Sequence, residues 1–154
     1  MVDKSTLGME LPVYTFRVEK DRIAELAIAV SQKENKEQIN PIYYDEEAAK
    51  KAGYQGIPVP PTFPTCTFFW TGGGLVALTK TLGIDLNKLL HREEEYEYFG
   101  SIYAGDVITR KMKVTDMFEK GKKVRFVSVT VLETEIINQR GELVLKSRTR
   151  LMER

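Results

Sequence analysis

Val59-Pro60-Pro61-Thr62-Phe63-Pro64-Thr65-Cys66-Thr67-Phe68-Phe69-Trp70-Thr71-Gly72-Gly73-Gly74-Leu75-Val76-Ala77-Leu78-Thr79-Lys80-Thr81-Leu82 is the stretch on which the fold turns. Pro58-Val59-Pro60-Pro61 is held extended, because each proline fixes its own φ and restricts the residue before it. Thr62 then stands as a candidate helix cap. From Phe63 to Leu82 the chain is apolar nearly all round, which is the pattern of a buried central helix rather than of a surface one. The triplet Gly72-Gly73-Gly74 is expected to kink or split that helix.

A helix buried on every side has to be wrapped, and the sequence downstream supplies the wrapping. Glu93 to Phe99 puts Glu93, Glu95 and Glu97 on one face and Tyr96 and Tyr98 on the other, an alternation that reads as a strand. Val107 to Phe118 sets Ile108, Met112 and Val114 on one face. Lys123 to Ile136 is apolar on both faces, with Val127, Val129 and Val131 opposite Val124, Phe126 and Leu132, so it is expected to be a central strand. Leu143 to Leu151 turns Leu143, Leu145 and Leu151 inward and Lys146, Arg148 and Arg150 outward. Glu119-Lys120-Gly121 and Asn138-Gln139-Arg140-Gly141 are expected as the hairpin links.

Upstream, Pro12 to Val18 reads as a short strand and Glu19 to Gln32 as a helix, with Ile23, Leu26, Ala27 and Val30 forming one apolar stripe. Lys33 to Asn40 is a polar connection, and Pro41 excludes helix at Asn40. Asp45 is placed to cap a short helix that Gly53 ends. Glu46–Lys50 and Glu47–Lys51 support that helix as i, i+4 pairs. The expectation is a single α+β domain over residues 1–154: a four-strand antiparallel meander curled around one apolar helix, which is the hot-dog arrangement.

Bulk properties narrow the function classes. The 154 residues suffice for one core, and a formal charge of +1 gives no reason to expect nucleic acid or an anionic membrane as partner. The single cysteine, Cys66, rules out a disulfide within the chain and favours a reducing, cytoplasmic compartment. The apolar stretch from Val59 to Leu82 is interrupted by prolines and glycines, so no transmembrane span is expected. His91 has no second histidine or cysteine to share a metal with, and no metal site is expected. The glycine triplet lacks both the P-loop lysine and the dinucleotide-binding spacing, and no cofactor is expected.

The segment Asn40-Pro41-Ile42-Tyr43-Tyr44-Asp45, followed by an alanine-containing helix, Gly53 and Tyr54, resembles the signature of MaoC-like (R)-specific enoyl-CoA hydratases and hydroxyacyl dehydratases. Val59-Pro60-Pro61-Thr62-Phe63 is more particular. It resembles the FAS1-like dehydratase subfamily, the MaoC N-terminal type, as do Ile84-Asp85-Leu86 to His91 and Tyr103-Ala104-Gly105-Asp106. The resemblance runs from about residue 10 onward. It implies a hot-dog fold, an acyl-CoA or acyl carrier protein thioester as ligand, and an acid–base pair, aspartate and histidine, in the catalytic members.

This chain departs from that pair. Matching the motif puts Gln38 where the family has aspartate and Tyr43 where it has histidine. Glutamine does not titrate, and tyrosine, with an ordinary pKa of about 10, is a poor base at neutral pH. No catalytic residue is therefore assigned. The resemblance instead implies substrate contacts from Asn40, Tyr43, Pro61, Thr62, Phe63, Phe69 and Gly73. For each a structural role competes: Asn40 as a loop hydrogen-bonder, Phe63 and Phe69 as core, and the glycine as a helix break. Cys66 lacks a neighbouring base, so a buried thiol is expected rather than a nucleophile. Lys111, Lys113, Lys122, Lys123, Arg125, Lys146, Arg148 and Arg150 are matched either to the phosphates of coenzyme A or the acidic surface of a carrier protein, or to a solvated sheet face.

The resulting expectation is the acyl-binding, non-catalytic subunit of an (R)-3-hydroxyacyl-thioester dehydratase or enoyl-CoA hydratase, paired with a MaoC-like chain that holds the aspartate and histidine. The alternatives are an acyl-CoA-binding hot-dog homodimer without turnover and a hot-dog thioesterase. No acidic residue lies between Val59 and Ile84, which counts against the thioesterase.

Overall fold

The computed structural model describes residues 4–70, 72, 74–122 and 125–154. Strand β1 (Tyr14–Arg17) leads into helix α1 (Lys20–Ser31), flanked by Glu19 and by Gln32 in the left-handed conformation. Of the expected stripe, Ile23 and Ala27 are fully buried and Leu26 is partly buried against the core, while Val30 points to solvent. A short helix α2 (Glu46–Lys51) follows. The Asp45 carboxylate accepts from the Glu47 and Ala48 N–H groups at 2.9 and 3.3 Å, and Glu46 pairs with Lys50 at 2.7 Å. The cap satisfies donors that the helix itself leaves free.

The apolar stretch forms two helices, α3 (Phe63–Trp70) and α4 (Gly74–Leu82). Gly72 and Gly74 have φ of +58° and +65°, a region open to glycine at little cost, and these angles break the helix. Pro64 falls in the first turn, where its missing N–H has no intrahelical acceptor to lose. α3 and α4 lie over a single sheet. Its strands are β1, β2 (Leu89–Tyr98), β3 (Val107–Lys122), β4 (Arg125–Ile137) and β5 (Leu143–Glu153), all antiparallel, in the order β1-β3-β4-β5-β2.

Three expectations are corrected by this topology. The meander covers only β3, β4 and β5; β2 skips over β3 and pairs with β5, and β1 adds a fifth strand beside β3. The physical reason lies between Tyr98 and Val107, where the chain makes no hairpin. It runs back across the front of the molecule, where Val59 N–H donates to Ile102 O and Ala104 N–H to Ile57 O. Glu119-Lys120-Gly121 is not a link but part of the ladder, opposite Ser128, Val127 and Phe126. The strand expected over Glu93 to Phe99 begins earlier, at Leu89, so that His91 lies inside it.

The readings of the last two strands and of the turn between them agree with the structure. β4 is the middle strand, with Leu132 and Ile136 buried on its inner face and Val129 and Val131 buried with Met152 on its outer face. β5 buries Leu145 and Leu151 and exposes Lys146 and Arg148. Asn138 to Gly141 is the β4–β5 turn: the Asn138 carboxamide oxygen accepts from the N–H groups of Arg140 and Glu142, and Gly141 has φ of +78°. One core cluster gathers around Phe63 with Ile23, Ile57, Ile102, Ile108, Ile136 and Leu145. A second gathers under α4 around Leu78 and Leu82 with Met112, Val114, Leu132 and Leu151.

Candidate functional site

Three polar residues fix the loops around the signature segments. The Asn40 carboxamide oxygen accepts from Ile42 N–H at 3.1 Å and caps the tight turn Pro41–Tyr43, so the side chain serves the loop. The Asp106 carboxylate accepts from Tyr103 N–H at 2.8 Å and from the Gln139 amide at 2.9 Å, which closes the loop that resembles the subfamily. Asp85 caps the turn Leu86–Lys88 through Asn87 N–H. Each is satisfied locally in the way short polar side chains satisfy loop backbone.

A groove of about 470 Å³ is lined by Tyr43, Tyr54, Pro58, Val59, Pro61, Tyr98, Phe99, Gly100, Ser101 and Ile102. Its size is that of a small-molecule site. Tyr43 projects from the turn after Asn40, and Tyr98 from the end of β2, where its hydroxyl donates to the Pro61 carbonyl at 2.7 Å. Among the described residues the lining holds no carboxylate, histidine, lysine or arginine. Its titrating groups are phenols. Burial, and then the neighbouring Tyr54, raise the Tyr43 hydroxyl above its ordinary value. Burial, and then Tyr96, push Tyr98 up to about 12. Such groups stay protonated near neutral pH. The groove can hold an apolar or flat ligand and offer hydroxyl donors, but it cannot move a proton as a base at pH 7.

The sequence-predicted residues divide around this groove. Tyr43 and Pro61 form its wall. Asn40 and Thr62 are exposed beside it and do not line it. Phe63 is fully buried in the core. Phe69 is 70% exposed and lines a different, apolar pocket of about 180 Å³ with Leu75, Leu86, Leu89 and His91. Gly73 lies outside the described residues. Gln38, at the family's aspartate position, is exposed, and its side-chain oxygen accepts from Glu34 N–H at 3.3 Å.

His91 and three of the candidate cations take structural partners. His91 Nε2 lies 2.9 Å from a Glu94 carboxylate oxygen. Burial raises the Cys66 thiol, which lowers its thiolate fraction. Arg150 pairs with Glu93, Arg148 with Glu133 at 2.8 Å, and Lys146 with Glu135 at 3.3 Å, so these three cations belong to an ion-paired sheet face. Lys122, Lys123 and Arg125 lie outside the described side chains. One residue escaped the sequence reading altogether. Arg110 retains 6% exposure, and its Nε has no hydrogen-bond partner among the described residues. The signal was available in the alternation of β3, because Arg110 shares the inward row with Ile108, Met112 and Val114 and is the one charge in it.

Comparison with known proteins agrees with this architecture. A UPF0336 protein of Thermobifida fusca is 33% identical over 155 residues, covering 99% of this chain and 94% of that one. The C-terminally truncated HadBC (3R-hydroxyacyl-ACP dehydratase) complex of Mycobacterium tuberculosis superposes with a TM-score of 0.75 at 23% identity, covering 96% of this chain and 97% of that one. The ChsH1-ChsH2 complex of the same organism superposes with a TM-score of 0.66 at 17% identity over 97% and 99%. These two structural likenesses establish the hot-dog fold. The sequence also matches the family described as FAS1-like, dehydratase domain region, over residues 5–147. With the match spanning nearly the whole sheet and both helices of the split pair, the chain belongs to the FAS1-like dehydratase domain family.

Proposed function

We propose that this chain is the acyl-binding, non-catalytic subunit of an (R)-3-hydroxyacyl-thioester dehydratase or enoyl-CoA hydratase, and that a second hot-dog chain supplies the aspartate and histidine. The observation that carries this reading is the groove itself. It has the volume and apolar lining to take part of an acyl chain, while the two positions that match the family's acid–base pair hold Gln38, turned to solvent, and Tyr43, a phenol that burial moves still further from acting as a base at neutral pH.

A second chain is supported by the sheet edge. Among the described residues, β2 has a neighbour on one side only, and its ten residues leave a row of backbone donors and acceptors open to pairing. The neighbours of this fold include two assemblies whose names join two subunits, HadBC and ChsH1-ChsH2.

The test is a hydration assay with crotonyl-CoA. The purified chain alone is expected to stay far below the enzyme median of about 10 per second. Co-expression with a chain that has the complete D-x-N-P-I-H signature is expected to restore turnover, with both chains in one sedimenting species. Turnover near that median by this chain alone would defeat the reading. A self-paired, inactive species that ignores such a partner would favour the alternative, an acyl-thioester-binding homodimer.

A further inference from the structure

The outer face of the sheet, turned away from α3 and α4, carries its charges in rows that run across the strands. In one row Glu10 bridges to Lys113, Lys113 stands opposite Glu133, Glu133 opposite Arg148, and Arg148 opposite Glu95. A second row runs Lys111, Glu135, Lys146, Glu97. A third sets Arg150 opposite Glu93. The sign changes at every step of all three rows. Opposite charges facing each other across neighbouring strands are favourable, and like charges there are unfavourable. Each row ends on a glutamate of β2, and among the described residues no strand lies beyond β2.

Two of these terminal glutamates are poorly met from behind. Arg148 leans toward β4: its NH2 lies 2.8 Å from Glu133, while its NH1 stays 3.8 Å from Glu95. Arg150 pairs closely with Glu93 and comes no nearer than 3.8 Å to Glu95. That separation is too long for a hydrogen bond. Lys146 pairs with Glu135 at 3.3 Å, and Glu97 has no ion pair among the described residues. Glu95 and Glu97 are both exposed. Beside them the backbone of β2 presents a row of N–H and C=O groups open to a further strand. An open ladder and open negative charge therefore share one edge.

The sign of that charge selects the strand that fits. A second copy would add its own β2 antiparallel to this one, about a twofold axis that keeps the two outer faces together. With the axis anywhere from Glu93 to Glu97, at least one glutamate of the outer row stands directly opposite another. A strand with lysine or arginine at alternate positions instead continues the alternation and meets Glu95 and Glu97. We propose that β2 docks the edge strand of a different protein chain whose outer-face residues are basic, and that the same glutamates disfavour pairing with a second copy. This rests on the reading that a second chain pairs with β2, and it adds the charge of that chain. Complementary charge of this kind sets partner choice more than raw affinity.

The probe is this chain with the double substitution Glu95→Lys/Glu97→Lys, which presents a basic edge on the same fold. The unaltered full chain, labelled with ¹⁵N, is mixed with the unlabelled variant. Sedimentation gives the affinity, and amide hydrogen exchange across Glu93–Glu97 reports whether β2 is covered. The mixed pair is expected to form at least tenfold more tightly than the unaltered chain pairs with itself, to slow exchange on β2, and to weaken severalfold when sodium chloride is raised from about 0.05 to about 0.5 M. The neutral chain Glu95→Gln/Glu97→Gln is expected to self-pair more tightly than the unaltered chain, with little dependence on salt. A mixed pair no tighter than the unaltered self-pair, with β2 protected in both, overturns the charge selection and leaves edge docking standing. An absence of slowed exchange on β2 in every mixture overturns edge docking and the charge selection together. If the lysine variant fails to fold, the glutamine variant decides: self-pairing no tighter than that of the unaltered chain overturns the proposal.

Discussion

Phe63 and Phe69 sit in one eight-residue helix, less than two turns apart, and meet opposite surroundings. Phe63 is fully buried among isoleucines from α1 and the sheet, at the end of α3 held by the extended Pro58–Pro61 segment and by the Pro58–Tyr103 bridge. Phe69 is mostly exposed at the end where the glycines break the helix. An all-round apolar pattern therefore had two causes. At the first end it marks core. At the second it marks a face that the chain does not itself cover, where Phe69 borders an apolar pocket with Leu75, Leu86 and Leu89. Exposed apolar surface of that kind ordinarily belongs to an interface or a ligand.

The contrast is open to attack, starting with the largest effect. Phe63→Ala should cost about 3–5 kcal/mol, as expected for a buried phenylalanine, and lower the calorimetric midpoint by roughly 6–20 °C for a domain of this size. Phe63→Trp should cost about 1–3 kcal/mol through overpacking. A thermally neutral Phe63→Trp would mean that Phe63 borders free space after all.

Tyr98→Phe removes the hydrogen bond to Pro61 O just ahead of α3 and should cost about 0.5–1.5 kcal/mol in denaturant unfolding at neutral pH. It should also alter the alkaline limb. The folded-state value of about 12 lies above the ordinary tyrosine value near 10. Below about pH 10 the phenol is neutral in both states, and its contribution is complete. Between roughly pH 10 and 12 the unfolded chain loses the proton while the folded chain keeps it, so stability falls as pH rises. The Tyr98→Phe chain should show a shallower decline across that window, and an unchanged slope would assign the decline to other groups. Phe69→Ala should be smallest, within about 0.5 kcal/mol for the isolated chain. A loss comparable to that of Phe63→Ala would erase the distinction between the two ends.

What the sequence disclosed follows from the range of the interactions. The Asp45 cap, the Gly53 stop, the break at the glycines and the two-sided β4 are dictated by neighbours within a few residues, and all were legible. The pairing of β2 with β5 joins residues more than forty positions apart, and alternation cannot name a strand's partner. The candidate site was legible only where the resemblance reached it: Tyr43 and Pro61 meet in the groove, but Tyr98 and Phe99, which come from the end of β2, could not be placed there without the three-dimensional course of the chain. Arg110 was missed for a different reason. Its neighbours two positions away satisfied the apolar pattern so well that a charge in their row was passed over.

The strand order has a consequence for how the molecule comes into being. β5 lies between β4 and β2, so β2 and the apolar helices before it emerge from the ribosome well ahead of the strand that completes their sheet. Until β5 docks, β2 has no hydrogen-bonded neighbour in this sheet among the described residues, and the second core cluster lacks Leu151. Pairings of such long range are slow to form, and the waiting intermediate exposes both strand edges and apolar surface. The nascent chain is therefore most vulnerable to aggregation late in its synthesis, and a chain cut before Leu143 would leave β2 without its partner strand and could not complete the sheet.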